Sequence, residues 1–169
     1  TTTKAQILAV DVVDRDATTV TASSSEGDFV AANVKTNDPG DIWRATGNDG
    51  ETLTFDFGED VDISHVAIIG HNANITGKVR IEIATDEAFS TVVYDSEAVD
   101  LWPPVYGFGE GGFGNHFGGY VDIGELGVFL PFRVIAVGAV YSKRYMRLTL
   151  SDTGSAGPTK LEAGKIMAG

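Results

Sequence analysis

The chain has 169 residues, 43% of them hydrophobic, enough for one domain with a sizeable core. Twelve basic residues against 24 acidic ones give a net charge of −12, which argues against nucleic acid and anionic lipid as partners. There is no cysteine, so a disulfide scaffold, a thiolate metal site and a cysteine nucleophile are excluded.

Taken in chain order, the predicted elements are almost all strands. Residues 7–13 and 18–22 have strand composition, and a short helical turn is expected near 38–43. Leu53, Phe55 and Phe57 alternate with Thr52, Thr54 and Asp56, which puts the apolar set on a core face. Residues 66–69 make a further strand, after which Asn72-Ala73-Asn74 reads as a turn. Val79, Ile81 and Ile83 repeat the alternation, a second helical turn is expected near 86–89, and 92–94 is extended. Residues 134–140 and the alternating Met146, Leu148 and Leu150 complete the set. Many short strands between Gly- and Asn-rich turns predict a β-sandwich.

Residues 101–130 break this pattern. They hold nine of the 21 glycines, interleaved with Trp102, Tyr106, Phe108, Phe113, Phe117 and Tyr120, and show no strand or helix period. Six aromatics argue against a disordered linker. The segment reads as an inserted arm whose aromatics bind a partner surface, on one sandwich domain spanning 1–169. No membrane insertion is expected. Thr1-Thr2-Thr3-Lys4 does not begin a signal peptide, and the longest apolar run, 128–141, is too short to span a bilayer.

Several motifs resemble one family. Ala32-Asn33-Val34 and Asp38-Pro39-Gly40-Asp41 lead to Trp43; Thr52 to Gly58 reads Thr-Leu-Thr-Phe-Asp-Phe-Gly; Arg144-Tyr145-Met146-Arg147 follows late in the chain. Their order resembles the discoidin, or coagulation factor 5/8 type C, family of galactose-binding-like jelly rolls. The fold class this implies is all-β, a jelly-roll β-sandwich carrying a long Gly/aromatic-rich arm. Tyr94-Asp95-Ser96, Leu101-Trp102-Pro103-Pro104 and the ending Glu162 to Gly169 are similar to small structural proteins of tailed bacteriophages, whose tail tips, baseplates and fibres carry discoidin-like folds.

The candidate sites follow from these two resemblances. Trp43 is either a sugar-stacking platform or a core residue, and the family position implies the core. Asn33, Arg44, Asn48 and His71 occupy the loops with which sugar-binding members contact a glycan. The resemblance also implies a structural Ca²⁺ beside an Asn-Asp loop and a Glu near the C-terminus, for which Asp38, Asp41 and Glu162 are the matching residues. The family loop reads Asp-Gly-Asp; here it reads Asn37-Asp38-Pro39, one carboxylate fewer. The three histidines are scattered and read as satisfied or surface side chains, and no catalytic motif is present.

Two functions compete. One is a non-enzymatic virion protein of a phage tail, made in the bacterial cytoplasm and present in several symmetric copies that contact other tail proteins through the arm. The alternative is a carbohydrate-binding module that touches a host surface glycan. The aromatics lie in the arm rather than on the short loops, which favours assembly.

Overall fold

The computed structural model describes residues 10–102 and 132–169. Nine strands lie among them: β1 (Thr19–Ala22), β2 (Trp43–Arg44), β3 (Glu51–Ile69), β4 (Lys78–Ala84), β5 (Val92–Asp95), β6 (Val99–Asp100), β7 (Phe132–Ser151), β8 (Glu162–Ala163) and β9 (Ile166–Ala168). The larger sheet runs β1-β3-β7-β4-β5, with β6 on β4 and β9 on β3, while β2 and β8 form a separate pair. Every pairing is antiparallel. The architecture is the all-β sandwich expected from the alternating pattern.

The long strands β3 and β7 organise the rest. Their ladder is interrupted between Asp56 and Val61 and again between Ile63 and His65. At the first break Gly58 takes φ +79, and its N–H donates to the Asp56 carboxylate at 2.8 Å. A side chain at that φ would be strained, so glycine allows the strand to bend there. Before the break β3 pairs with β1, and beyond it with β9; β4 pairs with the last part of β7. One long strand pair thus serves two parts of the core.

The period-two reading holds residue by residue. Leu53, Phe55, Phe57, Val79, Ile81, Ile83, Met146, Leu148 and Leu150 all have no exposed surface. Trp43 is equally buried and donates its indole N–H to the Ser24 carbonyl at 2.9 Å, the core position the resemblance implied.

The local expectations fare less well. Residues 38–43 do not form a helical turn. The Asp38 carboxylate instead accepts the Gly40 N–H at 2.8 Å, an Asx turn that competes with helix. Among the described residues the helical segment is a 3-10 turn at Ala31–Lys35. Residues 86–89 form a turn rather than a helix, because the Asp86 carboxylate accepts the N–H groups of Ser90 and Thr91 and Phe89 turns to φ +54. Residues 10–13 are not a strand; Val12 makes a single backbone bond to Ala168. The strands expected at 134–140 and 146–150 are one continuous β7.

The arm lies largely outside the described residues, including Tyr106, Phe108, Phe113, Phe117 and Tyr120. Leu101 and Trp102 do not project as expected. Leu101 is fully buried, and half-buried Trp102 donates its indole N–H to the Ala73 carbonyl at 2.8 Å. An indole leaving water needs such a partner, and the 71–77 loop supplies one.

Candidate functional site

Four segments meet at one end of the sandwich: the 47–50 turn, the 70–77 loop, Leu101-Trp102 and residues 152–164. The chain leaves β3 through Gly70 at φ +77, against Gly164. A Cβ on Gly164 would stand 2.8 Å from the Ile69 carbonyl, so the two glycines allow the loop and the C-terminal segment to touch.

Asparagine amides then pin the 70–77 loop. Asn72 donates to the Lys160 carbonyl and accepts the Glu162 N–H, each at 2.8 Å. Asn74 donates its side-chain amide to Ala156 at 2.8 Å. Asp152, 1% exposed, is the hub: its carboxylate accepts the Asn74 N–H at 2.7 Å, the Thr76 hydroxyl at 2.6 Å and the Gly154 N–H at 3.3 Å. Asp152→Asn is expected to lower stability by about 2 kcal/mol, because an amide N–H would then face these donors. Urea unfolding checks this, and an unchanged midpoint would show that the hub is dispensable.

The side chains expected to touch sugar are mostly spent on the fold. Asn33 donates to the carbonyls of Asp28 at 3.2 Å and Ile42 at 2.8 Å. Asn48 donates to those of Asp152 at 3.1 Å and Pro158 at 2.8 Å. Arg44 pairs through Nε with Glu162 at 2.6 Å, lies 3.7 Å from Glu26 and rests 4.0 Å above the Phe29 ring. Glu26 is also paired with Lys160, whose hydrogen bond is the main influence holding its carboxyl below the usual range. The structure brings Asn48 and His71 to the loop end and ties Arg44 to it through Glu162. Asn33 instead braces the 28–42 segment.

The calcium ligands implied by the resemblance do not assemble. Asp38 is exposed and engaged with Gly40, Glu162 is engaged by Arg44, and no group of three or more His, Asp or Glu among the described residues could hold a metal ion. The set Asp38, Asp41 and Glu162 therefore does not fit Ca²⁺.

His71 departs from the expectation of a satisfied or surface histidine. It is 2% exposed, and neither ring nitrogen has a hydrogen-bond partner. Burial lowers its pKa to about 4, so the ring is neutral at pH 7 and carries one donor and one acceptor. Its ring meets that of Trp102 edge-on, with centroids 5.2 Å apart. His116 lies outside the described residues. Of the site builders Asp152, Asn72, Asn74 and Thr76, the sequence signals only the Asn72-Ala73-Asn74 turn.

No known protein family and no curated protein matches the chain by sequence. Solved structures do match in fold. The family 32 carbohydrate-binding module of NanJ from Clostridium perfringens, in complex with galactose, superposes with a TM-score of 0.61 at 14% identity, covering 94% of this chain and 96% of that one. The family 32 module of AlyQ, in complex with 4,5-unsaturated mannuronic acid, gives 0.56 at 18% identity over 89% and 93% of the two chains. Chitosan-binding module 1 of a Paenibacillus sp. IK-5 chitosanase/glucanase gives 0.57 at 14% over 95% and 98%. The fold is thus the galactose-binding-like jelly roll.

Proposed function

We propose that the chain is a non-catalytic carbohydrate-binding module whose site is the loop end around His71 and Trp102. The observation that carries this reading is the pair itself. Trp102 has its N–H tied to Ala73 and its ring part-exposed, the arrangement a sugar's apolar face stacks on. Beside it stands the buried, neutral His71 imidazole, which meets the Trp102 ring edge-on and braces it. The resemblance to glycan-binding modules supports the reading, and their ligands are different sugars, so the sugar is left to experiment.

The test is a titration of Trp fluorescence with galactose, chitosan oligomers and unsaturated uronates. Saturable binding to one of them is expected, abolished in Trp102→Ala and weakened in His71→Ala, which removes the ring that braces Trp102. Binding that both variants retain would place the site elsewhere. No binding to any sugar would leave the module reading without support.

A place in a phage tail is the second reading. Phe132, Val134 and Val140 on β7 are 58%, 48% and 64% exposed, an apolar row of the kind that marks interaction surfaces. Gold-labelled antibody against the chain on virions would decide it: labelled tails support it, unlabelled ones do not.

A further inference from the structure

Two ammonium groups tie the N-terminal segment to the 3-10 turn and the C-terminal strand. Lys35 closes the 3-10 turn just ahead of Asn37-Asp38, and its Nζ donates to the Thr18 carbonyl at 2.6 Å and the Arg15 carbonyl at 3.0 Å. Lys165 lies between β8 and β9. Its Nζ donates to the Lys35 carbonyl at 2.6 Å and lies 3.3 Å from Asp11 Oδ2 and 3.4 Å from Asp14 Oδ1. The Lys165 and Asp11 side chains are each only 13% exposed. The other Asp11 oxygen accepts the N–H groups of Val13 at 3.0 Å and Ala168 at 3.3 Å.

This arrangement has the coordination logic of a cation site. An ammonium donates three hydrogen bonds and accepts none, so it seeks the carbonyl and carboxylate oxygens that Ca²⁺ also seeks. Lys165 brings its charge to Asp11 and Asp14, and Lys35 holds the Arg15 and Thr18 carbonyls. The oxygens come from segments far apart in sequence, so holding them closes residues 11–18 onto the 3-10 turn and the C-terminal strand.

We infer that Lys35 and Lys165 close the N-terminal segment onto the 3-10 turn and the C-terminal strand, so that this closure needs no bound divalent cation. The cation is part of the chain and cannot be removed by chelation. Two of the carboxylates that the resemblance implied for an ion are engaged elsewhere, Glu162 with Arg44 and Asp38 in its turn.

The test has two arms on the full chain. Thermal unfolding is expected to have the same midpoint, within about 1 °C, in EGTA and in millimolar calcium chloride; a rise of several degrees with calcium overturns the inference. In Lys165→Met, measured in EGTA, amide exchange at Val12, Val13 and Thr18 is expected to accelerate at least about tenfold, while residues 53–57 stay protected. Unchanged protection over 11–18 would show that the lysine closes nothing. Should Lys165→Met not fold, Lys35→Met is read in the same way.

Discussion

Phe55→Ala is expected to lower the free energy of unfolding by about 3–5 kcal/mol. The side chain is fully buried in the middle of β3, opposite Val20 on one side and Met146 on the other. The Phe57 ring stacks near it, with centroids 6.4 Å apart. Removing the ring forfeits its transfer out of water and leaves a cavity lined by ladder residues. Met146 is fixed by backbone pairing to both β3 and β4 and cannot collapse freely into the gap, which puts the expected cost among the larger ones for core truncations. Urea unfolding measures it. A loss below about 1 kcal/mol would mean that Phe55 does not face the core.

The second large effect is a pH dependence set by His71. Its ordinary pKa of 6.5 falls to about 4 in the folded chain because burial disfavours the charged ring. The unfolded state therefore takes up the proton first as pH falls. The stabilisation is complete above about pH 6.5 and is lost as pH falls towards 4. The expected loss is about 2 kcal/mol by pH 5 and about 3 kcal/mol by pH 4.

Other groups act lower on the scale. The Arg144 hydrogen bond holds the Asp56 carboxyl below its usual range, and that of Arg80 does the same for Asp95. Their contributions are present above the usual carboxylate range and are lost only as pH falls through and below it. Comparison with a variant at position 71 over the interval from pH 7 to 5 therefore separates the contribution of His71 from that of the other groups. His71→Phe keeps an aromatic ring there and removes the titration. Urea unfolding at pH 7 and pH 5 should show the parent chain losing about 2 kcal/mol more than the variant; equal losses would count against a buried, neutral His71.

The loop end was only partly legible in the sequence. Asn48 and His71 were picked out and do lie there, but for Asn48 the residue type misled. An asparagine in a loop is equally suited to holding a sugar hydroxyl or a backbone carbonyl, and here both of its donors go to carbonyls more than 100 residues away. Arg44 is similar, since the charge it would offer a ligand is met by Glu162, 118 residues on. His71 erred in the opposite direction: it was expected to be an ordinary satisfied or surface histidine, and it is buried without a partner.

What the sequence determined by itself is the face of each main strand. Side chains of a pleated strand alternate every residue, so Leu53-Phe55-Phe57 and Met146-Leu148-Leu150 declare their core side without reference to any partner. The composition likewise excluded cysteine chemistry before any fold was known. What only the tertiary structure decided is which polar groups are already spoken for. The bend at Gly58, the hub at Asp152, the Arg44–Glu162 pair and the Lys35 and Lys165 ammonium groups all depend on segments meeting across the chain. A hydrogen-bond donor has no period in the sequence; its role is set by whichever acceptor the closed fold brings within about 3 Å.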